Sequence, residues 1–100
     1  MSLQTKLTED GREVIMNLPE RFDFSVHSDF RKAYEGNENA KKFIVNLRNT
    51  TYMDSSALGM MLQLKEHAEK DNGKVIIKNA SGNILQILSI ANFDKIFSVI

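Results

Sequence analysis

The chain has no cysteine, no tryptophan and only one proline among its 100 residues. The missing cysteine excludes disulfides, thiolate metal sites and cysteine-dependent catalysis, and it fits a reducing compartment, so the cytoplasm is the expected location. The sequence also has no signal peptide and no apolar run of about 18 residues, the length that a membrane span requires. We therefore expect no membrane partner.

An excess of either charge is also missing, because thirteen Lys and Arg residues balance thirteen Asp and Glu residues. Nucleic-acid binders usually carry a basic excess, so no direct nucleic-acid binding is expected. Hydrophobic residues form 42% of the chain and charged residues 26%, which is typical of a globular domain. Residues 1–100 are expected to form one domain, and the short length and mixed charges favour a monomer.

Residues that could bind a metal or a nucleotide are sparse. The two histidines, His27 and His67, are too few for a histidine-built metal site and are expected to be ordinary surface or half-buried residues. The glycine-rich phosphate loops G-x-x-x-x-G-K-[ST] and G-x-G-x-x-G are both absent. No metal or other cofactor is therefore expected.

The first half of the chain contains patterns for two strands, a helix and a further strand. Alternating stretches over 3–8 and 12–18 flank the turn residues 9–11 and predict an opening β-hairpin. Apolar residues at helical spacing predict a helix over 25–35. The short apolar run 42–47 is typical of a central strand that is covered on both faces.

The second half continues the alternation of helices and strands. The strongest helical pattern spans 55–70, and its inward residues are predicted to be Ala57, Leu58, Met61, Leu62, Leu64 and Ala68. A buried strand is predicted over 74–78, an amphipathic helix over 81–92 and a last strand over 96–100.

The predicted order β-β-α-β-α-β-α-β is that of an α/β protein with a mostly parallel central sheet faced by helices. In such sheets, functional groups collect at the carboxyl ends of the strands. Asp54 and Ser55 follow the strand at 42–47 and are expected at this edge.

The segment Asp54-Ser55-Ser56 opens the strongest predicted helix. Asp and Ser oxygens can cap a helix N-terminus, and because one cap needs only one side chain, a second hydroxyl is left available to a kinase. A serine hydrolase is disfavoured, since the G-x-S-x-G elbow is absent and His67 lies roughly 18 Å further along the same helix. His27 remains formally possible as a base.

The segment 52–62 (Tyr-Met-Asp-Ser-Ser-Ala-Leu-Gly-Met-Met-Leu), preceded by the strand 43–47, resembles the D-S-[ST]-G-L-G signature of bacterial anti-sigma factor antagonists, the STAS domains. Ala57 stands where that signature has its first glycine. The resemblance covers the whole chain in element order. It implies the STAS fold: a mixed, mostly parallel sheet of four to five strands, with helices packed on it and an opening β-hairpin.

The resemblance also implies a role for individual residues. In the family, the first serine after the aspartate is phosphorylated by a serine kinase of the histidine-kinase-like ATPase type that doubles as anti-sigma factor, and a serine phosphatase reverses the reaction. By position this serine is Ser55. The segment 20–23 (Glu-Arg-Phe-Asp) corresponds to the family's G-E-L-D segment. The partner-binding residues implied in this way are Asp23, Phe24, Met53, Asp54 and Ser56.

A regulator without enzymatic activity is therefore expected, which captures its partner while Ser55 is unphosphorylated and releases it after phosphorylation. Two alternatives stay open. The first is a STAS regulator of biofilm or motility in a two-component pathway, where a response regulator with kinase and phosphatase activity sets the state of the serine. The second is a small-molecule-binding or hydrolytic domain in which Ser55 touches the ligand.

Overall fold

The chain opens with the predicted hairpin in a computed structural model that describes residues 3–100. Strands β1 (Gln4–Leu7) and β2 (Glu13–Asn17) pair antiparallel. Gly11 lies in the turn between them with φ of 72°, a conformation that glycine adopts without steric cost. The hairpin prediction is confirmed.

The remaining elements alternate between strands and helices. They are β3 (Arg21–Phe22), α1 (His27–Glu35), β4 (Lys42–Asn46), β5 (Tyr52–Met53), α2 (Ser55–Lys70), β6 (Lys74–Lys78), α3 (Gly82–Ile90) and β7 (Ser98–Val99). Short 3-10 helices at Phe24–Val26 and Phe93–Lys95 precede α1 and β7. The last strand is shorter than the predicted 96–100, and the two-residue strands β3 and β5 were not predicted.

The main sheet has five strands in the order β1-β2-β4-β6-β7. Only the β1–β2 pair is antiparallel, and the other three pairs are parallel. The sheet is therefore mixed and mostly parallel, with β4 at its centre, as the sequence predicted.

The helices cover one face of this sheet, which corrects the prediction that the strand at 42–47 is covered on both faces. After β2, each new strand adds to the same edge, and right-handed crossovers in one direction place their helices on the same face. The strand side chains buried under the helices are Val14, Met16, Phe43, Val45, Val75 and Ile77. Ile44 points to the opposite face and is only half-buried.

The inward face of α2 also differs from the prediction. The buried residues are Ala57, Met60, Met61, Leu64 and Ala68. Leu58 is half-buried, and Leu62 is 44% exposed. At about 100° per residue, Leu62 lies about 160° from Leu64 around the helix axis, because the two are separated by two positions. The two leucines therefore cannot both point into the core, and only Leu64 does.

Candidate functional site

A second, two-stranded sheet joins the segment around Phe22 to the start of α2. Strands β3 and β5 pair in parallel, with Arg21 opposite Tyr52 and Phe22 opposite Met53. The backbone N–H of Tyr52 also donates to the carbonyl oxygen of Glu20 at 3.1 Å. Two loops that are far apart in sequence are thereby held side by side.

Side-chain hydrogen bonds hold the chain just before β5. The buried hydroxyl of Thr50 donates to the carbonyl oxygen of Pro19 at 2.9 Å. The side-chain amide of Asn83, at the start of α3, donates to the carbonyl oxygen of Thr51 at 3.1 Å. Because both bonds are to backbone carbonyls, they position the main chain that leads into α2.

Asp54 is the N-cap of α2. Its Oδ1 accepts hydrogen bonds from the backbone N–H groups of Ser56 at 3.1 Å and Ala57 at 3.2 Å, and from the hydroxyl of Ser56 at 2.5 Å. The Ser56 hydroxyl is the largest cause that lowers the pKa of the Asp54 carboxyl. The carboxylate is therefore ionised at neutral pH, and its Oδ1 is already hydrogen-bonded to the first turn of α2.

The Ser55 hydroxyl has no such role. Ser55 is exposed, and within residues 3–100 its side chain has no hydrogen-bond partner, whereas the neighbouring Ser56 hydroxyl is engaged by Asp54. The structure thus separates the two serines chemically. One hydroxyl completes the cap, and the other is free in the first turn of α2.

Asp23 forms the same arrangement in the neighbouring loop. Its Oδ1 accepts from the backbone N–H of Ser25 at 2.9 Å and from the Ser25 hydroxyl at 2.5 Å, capping the 3-10 helix before α1. The Ser25 hydroxyl is the largest cause that lowers the pKa of Asp23. Arg21 Nε lies 3.2 Å from the other carboxylate oxygen of Asp23. The sequence analysis did not identify this similarity, although the spacing Asp-x-Ser is present at both places and could have revealed it.

The β3–β5 register brings the two aspartates together. Phe22 pairs with Met53, so the next positions on the two strands are Asp23 and Asp54. The charge of Asp23 raises the pKa of Asp54, which is a smaller effect than the hydrogen bond that lowers it. Two carboxylates therefore lie close together at the N-terminal end of α2, where Ser55 is the first helical residue.

Aromatic side chains border this pair of aspartates. Phe24, which follows Asp23, is 66% exposed, and its ring stacks on that of His27 with centroids 4.7 Å apart. Tyr52 is also exposed, and the guanidinium of Arg21 lies 4.1 Å above its ring. The surface at this edge is therefore both acidic and aromatic.

Met53 lies in the core and not at the surface, which corrects the prediction. It was expected at the partner-binding surface, but only 5% of it is exposed, and it belongs to the hydrophobic core. Side chains alternate along a strand, so with Tyr52 pointing outward, Met53 points inward. Met53 supports the surface from below and does not form part of it.

Ser55, Gly59 and Leu62 form an outward stripe along α2, which was not predicted from the sequence. Gly59 and Leu62 lie within about 40° of Ser55 around the helix axis. A Cβ atom added to Gly59 would meet none of the described residues within 4 Å, so no packing contact among them requires a glycine there. The stripe offers a free hydroxyl, bare backbone and an exposed leucine in successive turns.

Within residues 3–100, neither histidine is hydrogen-bonded to the Ser55 hydroxyl. The His67 ring packs against the rings of Tyr34 and Phe43, with centroids 4.8 Å and 6.0 Å away. Over residues 3–100, no three His, Asp or Glu side chains gather in a way that could hold a metal ion. In the same residues, no helix has both the length and the apolar character needed to cross a membrane.

Comparison with known proteins gives matches over nearly the whole chain. A family model described as the STAS domain matches residues 4–100. A STAS-domain containing protein of Pseudomonas aeruginosa (strain UCBPP-PA14) is 41% identical over 100 residues, covering 99% of each chain.

Solved structures show the same fold. An anti-sigma-factor antagonist (STAS) domain protein from Planctomyces limnophilus gives a TM-score of 0.85 at 14% identity, covering 99% of this chain and 89% of that one. The anti-sigma factor antagonist SpoIIAA in its unphosphorylated form gives 0.75 at 18% identity, covering 99% and 87%. The phosphorylated Bacillus SpoIIAA gives 0.73 at 18% identity, covering 99% and 91%. Together with the family match and the 41% identical relative, this shared fold shows that the chain belongs to the STAS domain family.

Proposed function

We propose that this chain is a partner-switching regulator of the anti-sigma factor antagonist type, which binds its partner while Ser55 is unphosphorylated and releases it when Ser55 carries a phosphate. The observation that carries the proposal is the free, exposed hydroxyl of Ser55 beside a Ser56 hydroxyl that Asp54 has already engaged. A kinase needs an accessible acceptor, and of these two serines only Ser55 is one.

Phosphorylation at this place changes charge without opposing the fold. A phosphate adds about −1.5 to −2 charges, and the N-terminus of a helix favours an anion through its free N–H groups and its dipole. The aspartates at positions 23 and 54 are already negative there. The added charge therefore makes an acidic surface much more acidic, while the helical backbone tolerates it.

The effect is expected to fall on binding. A partner that places acidic or apolar groups against Ser55 would lose several kcal/mol through repulsion and desolvation. About 4 kcal/mol corresponds to roughly a thousandfold loss of affinity. A single modification is thus sufficient to exchange one partner for another.

The partner surface is proposed to consist of three neighbouring parts. Asp23 and Asp54 form the acidic part, Phe24 supplies an exposed ring next to Asp23, and the outward stripe of α2 supplies Gly59 and Leu62. A glycine in an exposed helix interior costs about 1 kcal/mol relative to alanine. No contact among the described residues requires a glycine at position 59. We therefore attribute Gly59 to the close approach of a partner to the bare helix backbone.

The proposed partners are a serine kinase of the histidine-kinase-like ATPase type, acting as anti-sigma factor, and a serine phosphatase that restores Ser55. In this proposal the chain itself performs no chemistry. Its role is to present the acceptor hydroxyl and to be bound or released, which requires the rigid cap of Asp54 and no catalytic base.

Affinity capture of the cognate kinase by Ser55→Ala and Ser55→Asp variants tests the proposal. The Ala variant is expected to bind like the unphosphorylated protein, and the Asp variant to bind at least about tenfold more weakly, because it adds a negative charge at the interface. Ser89→Asp is the matched control, since Ser89 is exposed near the far end of α3 and receives the same charge. Equal binding by both Ser55 variants would contradict the proposal.

A further inference from the structure

The face of the main sheet that carries no helices has an apolar row at its centre. We call the outward-pointing residues of β1, β2, β4 and β6 on this side the open face. The strand register places Ile15 beside Ile44 and Ile44 beside Ile76, so the three side chains form a row across three parallel strands. They are half-buried and lie outside the hydrophobic core. Sheets of parallel strands are ordinarily covered on both faces, which this one is not.

Positive charge surrounds this row. Lys42 and Lys74 lie side by side on β4 and β6, two residues before the isoleucine row. Lys78 lies on β6 two residues after the row. At the end of the row nearest β1, Lys6 is paired with Ile15. The acidic residue of the open face is Glu13, whose Oε1 is 4.0 Å from Lys42 Nζ. Four lysines and one glutamate give the open face three excess positive charges, so the rest of the neutral chain carries three excess negative charges.

We propose that the open face binds an acidic amphipathic helix of a partner protein. Such a helix has an apolar stripe flanked on both sides by charged residues, and the open face has an isoleucine row flanked on both sides by lysines. With strands about 4.8 Å apart, the row is about 10 Å long, close to two turns of helix. Glutamates or aspartates beside the helix stripe would meet the lysines.

The side chains of the open face also favour this occupant over two others. A second copy of the chain placed face to face would bring two sets of lysines together, which is repulsive. Lysines attract the phosphates of nucleic acids, but contacts to the bases are made mostly by arginine and by aromatic stacking. On the described strands, the side chains of the open face include neither an arginine nor an aromatic ring.

The open face and the Ser55 edge are separate surfaces. Ser55 opens α2, which packs on the opposite side of the sheet, so a protein bound at Ser55 leaves the isoleucine row uncovered. The open face therefore provides a contact whose occupancy does not depend on the phosphorylation state of Ser55. A Ser55→Asp variant is expected to bind the acidic helix as tightly as the unaltered chain.

The test is an NMR titration of the full chain, labelled at backbone amides and isoleucine methyl groups. The probe is a synthetic helical peptide with leucines at i, i+3, i+4 and i+7 and glutamates at the other positions. We expect chemical-shift changes at Ile15, Ile44 and Ile76 and along β2, β4 and β6. A peptide with lysines in place of the glutamates is expected to produce none.

Variants locate the contact. Replacing both Lys74 and Lys78 with Glu is expected to weaken binding of the acidic peptide at least about tenfold. Replacing Lys70 and Lys95 with Glu makes the same charge change at exposed positions away from the open face, and is expected to leave binding unchanged. Ile44→Thr keeps a β-branched residue in the strand and is also expected to weaken binding.

Several results would overturn the proposal. They are shift changes confined to the helices or to the Ser55 edge, no shift changes at millimolar peptide, and equal binding of the lysine peptide. Concentration-dependent shifts at the open face without peptide would assign it to self-association instead. Tighter binding of an RNA oligonucleotide or of anionic lipid vesicles to the open face would assign it to those ligands.

Discussion

Asp23 and Asp54 occupy equivalent positions after two parallel strands, and each accepts hydrogen bonds from the backbone and the hydroxyl of the serine two residues later. The chain thus builds the same capped turn twice, side by side. The side chain of the residue after each aspartate points outward. In one turn this position holds the exposed ring of Phe24, and in the other it holds the exposed hydroxyl of Ser55.

The Asp54 cap is predicted to make a measurable contribution to the free energy of unfolding. Asp54→Ala removes the acceptor for two backbone N–H groups of α2 and is expected to lower the free energy of unfolding by about 1 kcal/mol. Urea unfolding measures this change. Ser55→Ala is the control, and because the Ser55 hydroxyl has no hydrogen-bond partner among the residues that the structure describes, its effect is expected within about 0.5 kcal/mol. A larger loss for Ser55→Ala than for Asp54→Ala would show that the cap is misassigned.

The pKa of Asp54 is predicted to depend on Ser56. The carboxyl has a pKa lowered from 3.8, first of all by the Ser56 hydroxyl, so Ser56→Ala is expected to raise it towards that value. Because the folded pKa is the depressed one, the stability that this group contributes is present above pH 3.8 and is lost as the pH falls through the folded pKa. NMR titration of the carboxyl carbon measures the shift. Ser55→Ala should leave it unchanged, and a pKa that is insensitive to Ser56→Ala would refute the assignment.

Gly59 is predicted to be retained for binding and not for the fold. Gly59→Ala is expected to raise the free energy of unfolding by up to about 1 kcal/mol, because the added methyl group meets no atom within 4 Å. The same change is expected to weaken capture of the kinase, because the methyl group stands on the outward stripe. Thermal unfolding and affinity capture measure the two effects. A variant that is more stable and binds equally well would remove Gly59 from the interface.

Phe24 is predicted to anchor the partner. Phe24→Ala is expected to change stability little, since the ring is 66% exposed, and to weaken binding at least about tenfold, as truncation of an aromatic anchor does. Ile90→Ala is the matched control, because Ile90 is 76% exposed and lies at the far end of α3. Isothermal titration calorimetry compares the two variants. Similar losses in both would indicate a general effect and not an anchor.

Much of this architecture could be predicted from the sequence, because helices and strands of five or more residues leave a periodic pattern. The strands β3 and β5 could not, since two residues such as Tyr52 and Met53 show no periodicity. The family resemblance placed Met53 at the partner-binding surface, whereas its position on β5 directs its side chain into the core.

The uncovered sheet face could not be predicted either. A short apolar run containing Ile44 has the same pattern whether one face of the strand is buried or both. Only the strand order, which the sequence does not reveal, places every crossover helix on one side. By contrast, the presence of one unused hydroxyl could be predicted, because one helix start needs one cap and the sequence offers more side chains than that, while the choice of Ser55 came from the family resemblance.

The most direct measurement of the central claim is phosphopeptide mapping of the protein isolated from the cells that produce it. Cleavage by trypsin after Arg48 and Lys65 yields a peptide that contains both Ser55 and Ser56. The account predicts one phosphate, located on Ser55, and its loss after treatment with a serine phosphatase. A phosphate on Ser56 in its place, or a protein that exchanges partners while Ser55 stays unmodified, would contradict it.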